Sequence, residues 1–287
     1  MSLSYRTVVS YDGTKIAYQT TGDGPAVVLV NGLGGDVEAW RFLIETLGPR
    51  RKIVCWDYRG LFRSQAPSSW QTLGPREQAL DLLPILDAEG IDRFALVGWS
   101  MGVQVALEVY RAAASRVQAI AAVNGVAGRP FDTALAWRFS RHVLPLVIAQ
   151  VRRSAPLFGR ISRGVVGWRG LLPTMQRLGL VGATLDGEVF MAVAKQFATI
   201  DFDLYGATLE ALGRHDAWDV LPSVKVPVVL IAGDRDVMTP MKVARKMART
   251  LPDAQLVVLE GGTHYTPVEY PARVGEEVLR LLARAGC

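Results

Sequence analysis

The chain has 287 residues, half of them apolar and 21% charged, which excludes a disordered chain and suits one large domain, or one domain carrying an insertion. Its formal charge of +5 is concentrated: between residues 127 and 200 there are ten basic residues against Asp132, Asp186 and Glu188, leaving the rest slightly acidic. A localised excess of this kind points to no nucleic-acid partner. No eighteen apolar residues run together and the N-terminus has no apolar region behind its few charges, so a soluble cytoplasmic protein without stable membrane insertion is expected. Cys55, inside an apolar run, and Cys287 exclude a disulfide framework, and nothing has metal-ligand spacing.

In chain order, KIAYQTTG (15–22), AVVLVNG (26–32), KIVCWDYRG (52–60), FALVGW (94–99), VQAIAAVNG (117–125), VPVVLIAG (226–233) and AQLVVLEG (254–261) read as strands. Several are apolar at nearly every position, the mark of strands covered on both faces. Helical patterns lie between them in AWRFLIETLG, REQALDLLPILDAEG, the segment after Ser100, MKVARKMARTLP and PARVGEEVLRLLARAG. The alternation predicts an α/β fold with a mostly parallel central sheet flanked by helices. It stops after Gly125 and resumes near Val226. The intervening stretch reads as short helices broken by Pro145, Pro156, Gly159, Gly170 and Pro173. The expected organisation is a core in two parts, 1–126 and 215–287, with an inserted α-helical cap at 127–214.

Gly98-Trp99-Ser100-Met101-Gly102 stands where a buried strand gives way to a helix. A sharp turn there strains the serine, and neighbours two positions away must lack a side chain. A neutral hydroxyl is a weak nucleophile, so it needs a base and a carboxylate to orient that base. Of His142, His215 and His264, only His264 follows a late strand in a Gly-rich loop, GGTHYTP; the others read as surface or packing residues. The carboxylate is Asp234 or Asp236, both at the end of VPVVLIAG, and spacing alone does not choose.

The order Ser100, aspartate, His264 and the strand-embedded elbow make the chain resemble the α/β-hydrolase superfamily over essentially its whole length. The family pattern G-x-x-D-x-x-x-P is met by Gly233, Asp236 and Pro240, which implies Asp236 as the acid. The resemblance further implies an oxyanion hole from the backbone N–H groups of Met101 and Leu33, within Asn31-Gly32-Leu33-Gly34-Gly35. Asn31 departs from the usual histidine and is expected to prop the loop. In DYRGLFRS, Phe62 stands where the family commonly has glycine, and is expected to add an apolar wall near the site. Trp99 and Phe62, with Trp137 and Phe139 of the insertion, are candidate substrate contacts; Leu144, Val147, Ile148, Trp168, Leu171 and Leu172 extend the candidate pocket roof.

Ser100 in place of an aspartate argues against dehalogenase or epoxide-hydrolase chemistry, and no cysteine stands at the elbow. The resemblance therefore implies a serine carboxylesterase acting through an acyl-enzyme on a small-molecule ester or lactone, with no cofactor and no metal. The N-G-x-G loop and apolar cap also resemble intracellular polyhydroxyalkanoate depolymerases, so a polyester or thioester is a second candidate. A catalytically weak, ligand-binding relative is the alternative of another class, motivated by Asn31 and the large cap.

Overall fold

The computed structural model describes residues 4–134 and 139–287. Eight strands form: β1 (Ser4–Val9), β2 (Lys15–Thr21), β3 (Ala26–Val30), β4 (Lys52–Trp56), β5 (Phe94–Trp99), β6 (Val117–Val123), β7 (Val228–Gly233) and β8 (Ala254–Leu259). They make one sheet in the order β1-β2-β4-β3-β5-β6-β7-β8. The β1/β2 and β2/β4 pairs are antiparallel and the others parallel, giving the mostly parallel sheet that the alternation predicts. β3, β5 and β7 are buried at every position, as strands covered on both faces must be. β1 is an addition to the expected set. It is an edge strand exposed at five of its six positions, so it has no apolar face to announce it and depends on pairing with β2.

Helices α1 (Arg41–Leu47), α2 (Pro75–Ala88) and α3 (Met101–Ala113) precede β6. Between β6 and β7 come α4 (Ser140–Arg153), α5 (Ala155–Val166), α6 (Leu171–Arg177), α7 (Gly187–Phe197) and α8 (Phe202–Arg214). After β7 come α9 (Met241–Thr250), α10 (Thr266–Glu269) and α11 (Pro271–Arg284). The period-two strands send alternate side chains into two cores. On one face Val28, Leu96 and Ile120 pack with Leu82 of α2 and Val105 and Val109 of α3. On the other, Val27, Val97 and Ala121 pack with Leu43 and Leu47 of α1 and Val278 and Leu282 of α11.

The breakers expected in the insertion do not all break it. Pro145 lies inside α4 and Gly159 inside α5, whereas Pro156 opens α5 and Gly170 precedes α6. Pro145 removes one helical N–H bond. Tertiary packing overrides that cost: Ile148 is buried, and Arg152 bonds Asp203 and Glu210 of α8 at 2.9 Å each. The insertion also reaches the main core through Phe202, Leu204, Ala207 and Leu212 of α8. Among the described residues no helix is long and apolar enough to cross a membrane.

The loop after β4 is pinned by charge. Arg59 is fully buried and bonds Asp81 (2.5 and 2.8 Å) and Asp12 (2.9 Å), while its backbone N–H donates to Gln78. Phe62, in the same turn, has φ +50°, the left-handed region that favours glycine, which accounts physically for the glycine common at this point in the family.

Asp57 and Asp36 are buried carboxylates near this loop. Asp57 accepts from the Arg63 amide at 3.1 Å, and Asp36 caps the turn Val37–Trp40 through the Glu38 amide at 3.2 Å. Burial pushes their carboxyls up, to about 6 for Asp57 and about 7 for Asp36. A carboxyl raised on folding holds its proton more tightly in the folded state, so the contribution of these two groups to stability falls as pH climbs from the ordinary carboxylate range through neutrality. Asp36→Asn keeps a capping oxygen and removes one of the two titrations. Its melting temperature is expected to drop less than that of the wild type between about pH 5 and pH 8; parallel curves in a thermal scan would contradict this.

Candidate active site

β5 ends at Trp99 and α3 begins at Met101, so Ser100 alone makes the turn, with φ +57° and ψ −120°. Such a backbone costs on the order of 1–3 kcal/mol in a residue with a Cβ. The flanking glycines permit it. A Cβ on Gly98 would stand 2.5 Å from the Gly102 carbonyl oxygen, and one on Gly102 would stand 2.1 Å from that of Val30. Both obstacles are backbone and cannot swing away. Ser100 makes no side-chain helix cap, so the glycines serve the turn rather than a cap.

Its Oγ instead lies 2.8 Å from His264 Nε2, and His264 Nδ1 lies 2.9 Å from Asp236 Oδ2. His264 sits in the loop after β8 and Asp236 in the loop after β7, so three parallel strands deliver the three groups to one edge of the sheet. Trp99 Nε1 donates to the His264 carbonyl at 2.8 Å. Glu269, itself buried, accepts from the Thr263 amide at 2.8 Å and from its hydroxyl. The histidine loop is therefore held from both sides.

Asp236 Oδ1 accepts the amides of Met238 (2.8 Å) and Thr239 (2.9 Å); Oδ2 accepts from His264, the Thr239 hydroxyl and Asn124 Nδ2 (2.7 Å). Burial works to raise this carboxyl, but the bonds from His264 first and Thr239 next outweigh it and hold it below the usual carboxylate range. Asp234 is exposed and accepts the Gly261 amide at 2.7 Å, a turn role. Of the two aspartates, the geometry brings Asp236 to His264.

Asn124 was not among the residues singled out in the sequence. It follows β6 with φ +44°, and its Nδ2 also donates to the Thr263 carbonyl at 3.0 Å while its Oδ1 accepts the Thr266 hydroxyl. It thus joins the ends of β6, β7 and β8. The available signal was a polar residue directly after the apolar run AIAAV of β6 and before Gly125, where a Cβ would stand 2.2 Å from Val103.

Leu33 and Met101 each line a cavity that also holds Ser100. Met101 opens α3, where the first N–H groups have no intrahelical acceptor, and among the described residues neither amide donates to a backbone acceptor. Asn31 props the loop as expected: it is buried, donates to the Trp56 carbonyl (3.1 Å) and accepts from Trp40 Nε1 (2.8 Å), while its own carbonyl accepts from Tyr58 (2.5 Å). His215 bonds Gln104 (2.8 Å) and Glu108 (2.9 Å) and His142 is exposed on α4; neither joins the site. Among the described residues no group of three or more His, Cys, Asp or Glu is placed to hold a metal ion.

The expected substrate contacts divide. Trp99 lines a cavity with Ser100 and Leu33. Phe62 does not: its turn carries it into a separate cleft with Tyr5, Asp57 and Arg63, so it forms no wall at Ser100. Phe139 is half exposed and outside both cavities that open on Ser100. Trp137 lies outside the described residues. Of the wider roof, Leu144, Val147, Ile148 and Leu171 line those cavities. Trp168 is exposed against Gly170, and Leu172 packs instead in a satellite cluster with Val181 and Phe190.

A family model described as the alpha/beta hydrolase fold matches residues 25–271. The protein named "Putative carbamate hydrolase RutD" of Azorhizobium caulinodans is 26% identical over 251 residues, spanning 86% of this chain and 87% of its own. Among solved structures, a thermophilic esterase from Thermogutta terrifontis superposes with a TM-score of 0.78 at 23% identity, covering 98% of this chain and 99% of its own. The enol-lactonase from Burkholderia xenovorans LB400 superposes with a TM-score of 0.78 at 22% identity, covering 97% and 100%. At these identities the superpositions speak to the fold.

The Asn124 network has a direct consequence. Asn124→Ala leaves buried acceptors and the Thr266 hydroxyl without their partner, and a loss of about 1–3 kcal/mol in unfolding free energy is expected. Urea unfolding measures it, and an unchanged midpoint would remove Asn124 from the network.

Proposed function

The chain belongs to the α/β hydrolase fold family, and from that premise we propose that it is a serine hydrolase that cleaves carboxylic esters through an acyl-enzyme. The observation that carries the reading is the continuous chain of contacts from Ser100 Oγ to His264 Nε2 at 2.8 Å and from His264 Nδ1 to Asp236 at 2.9 Å, on a serine held in the left-handed region. His264 takes the hydroxyl proton as Oγ attacks the ester carbonyl carbon. Asp236 holds the imidazole tautomer and offsets the imidazolium charge. The carbonyl oxygen, now an oxyanion, is met by the amides of Leu33 and Met101, where one donor is worth on the order of 3 kcal/mol of barrier.

His264 then gives its proton to the departing alkoxide and the C–O bond breaks. A water, deprotonated by the same imidazole, attacks the acyl-enzyme and releases the acid and free Ser100. The proton taken from Ser100 leaves on the alcohol, and His264 passes the one taken from water to Ser100 Oγ as the acyl–oxygen bond breaks, so the triad ends in its starting state without a cofactor.

The alternative of a binding-only relative draws its motive from Asn31 and the large cap. That side chain is engaged with Trp40 and Trp56, and among the described residues the Leu33 amide has no backbone acceptor. The motive therefore weakens.

A fluorophosphonate is expected to label the wild type at Ser100 and not Ser100→Ala, as read by intact-protein mass. Hydrolysis of p-nitrophenyl esters is expected to fall by at least about 10⁴-fold in Ser100→Ala. A folded wild type that neither labels nor turns over any ester would sink the proposal.

A further inference from the structure

Two cavities, rather than one, open on the Ser100 and His264 pair. The first, of about 330 Å³, runs past Met101 beneath α4, with Ala134, Leu144, Ile148 and Val151 in its walls. The second, of about 360 Å³, runs past the Gly32–Gly35 loop beneath α5, α6 and α7, with Val165, Met175, Phe190 and Val193 in its walls. Tyr205, Leu209 and Leu212 of α8, with Met238 of the loop after β7, border both. They form the divider between the two lobes.

Among the described residues, no Asp, Glu, Lys or Arg lines either lobe. The one amide side chain, Gln104, is already engaged, donating to the Gly128 carbonyl at 2.5 Å and facing His215 at 2.8 Å. A charged substituent would meet no opposite charge among the described residues of either lobe, only hydroxyls such as those of Tyr205, Ser162 and Tyr265 in mainly apolar walls, which disfavours it. That argues against a carbamate anion or any ester bearing a carboxylate. A compact lactone would leave one lobe empty.

An ester carbonyl carbon carries two substituents that diverge from it, the acyl chain and the alkoxy group. With that carbon at Ser100 Oγ and its oxygen toward Leu33 and Met101, the substituents need two separate spaces meeting at one point. The lobes supply them. A water-sized group takes about 30 Å³, so each lobe accommodates on the order of ten carbon-sized groups. Resting on the serine-hydrolase reading above, we propose that the substrate class is a neutral ester with an extended apolar arm on each side of the carbonyl, one arm in each lobe. The acyl arm stays in its lobe on the acyl-enzyme while the alcohol leaves from the other, freeing that side for water.

The test is a grid of neutral esters in which acyl and alcohol chains are lengthened independently, with kcat/KM measured for wild type and two lobe-filling variants. For the wild type, kcat/KM is expected to climb about three- to fourfold per added methylene along either chain until the lobe is filled. Leu144→Trp narrows the first lobe and Val193→Trp the second. Each is expected to lower the long-to-short ratio at least tenfold for one chain only, and the two variants for opposite chains. Should either tryptophan fail to fold, Val151→Phe and Met175→Phe probe the same lobes with less added volume.

Loss of tolerance for the same chain in both variants, or a wild type that favours short chains on either side, overturns the two-arm substrate while Ser100 still labels. A folded protein whose Ser100 does not label overturns both readings.

Discussion

The site is measured from a single backbone crossing, where the first turn of α3 runs under the end of β3. A side chain at Gly102 would lie 2.1 Å from the Val30 carbonyl oxygen and 2.9 Å from that of Asn31. With no side chain there, helix and strand close to backbone contact and Ser100 must take its left-handed turn. The same closeness sets the loop that carries Leu33 beside the turn at Ser100, where a Cβ on Gly32 would stand 3.3 Å from that of Ser100. It also seats Trp99 against Gly32, where a Cβ would come within 3.0 Å of the indole.

Much of this was legible because the constraint is local. Two glycines around a serine at a strand-to-helix junction have a collision as their cause, and the collision can be read from spacing. Asp234 and Asp236 could not be separated by spacing, since both leave β7 at the same edge; the family pattern chose Asp236, and its surroundings distinguish it physically. Asn124 was hidden because its work is done where β6, β7 and β8 end together, three places far apart in the chain. β1 was hidden for the opposite reason, being an exposed edge whose residues carry no apolar period. Pro145 misled because helix propensity is a weak prior against a helix that packs on α8.

The inserted helices do not sit on the core as a separate body. Phe197 and Tyr205 press on Gly34, where an added Cβ would stand 2.7 Å from the Phe197 ring, and Leu204 presses in the same way on Gly60. Glycine at these points lets the roof approach the loop that carries Leu33 and the loop that carries Arg59. Apolar surface and loop position are thereby coupled, because α8 contributes to the main core and to the divider between the two lobes.

The indole bond from Trp99 to the His264 carbonyl means that the hydroxyl and the imidazole ride on one strand-anchored body. The spacing of the two groups is then a standing property of the sheet edge, while the shape of the cavities above them is left to the inserted helices.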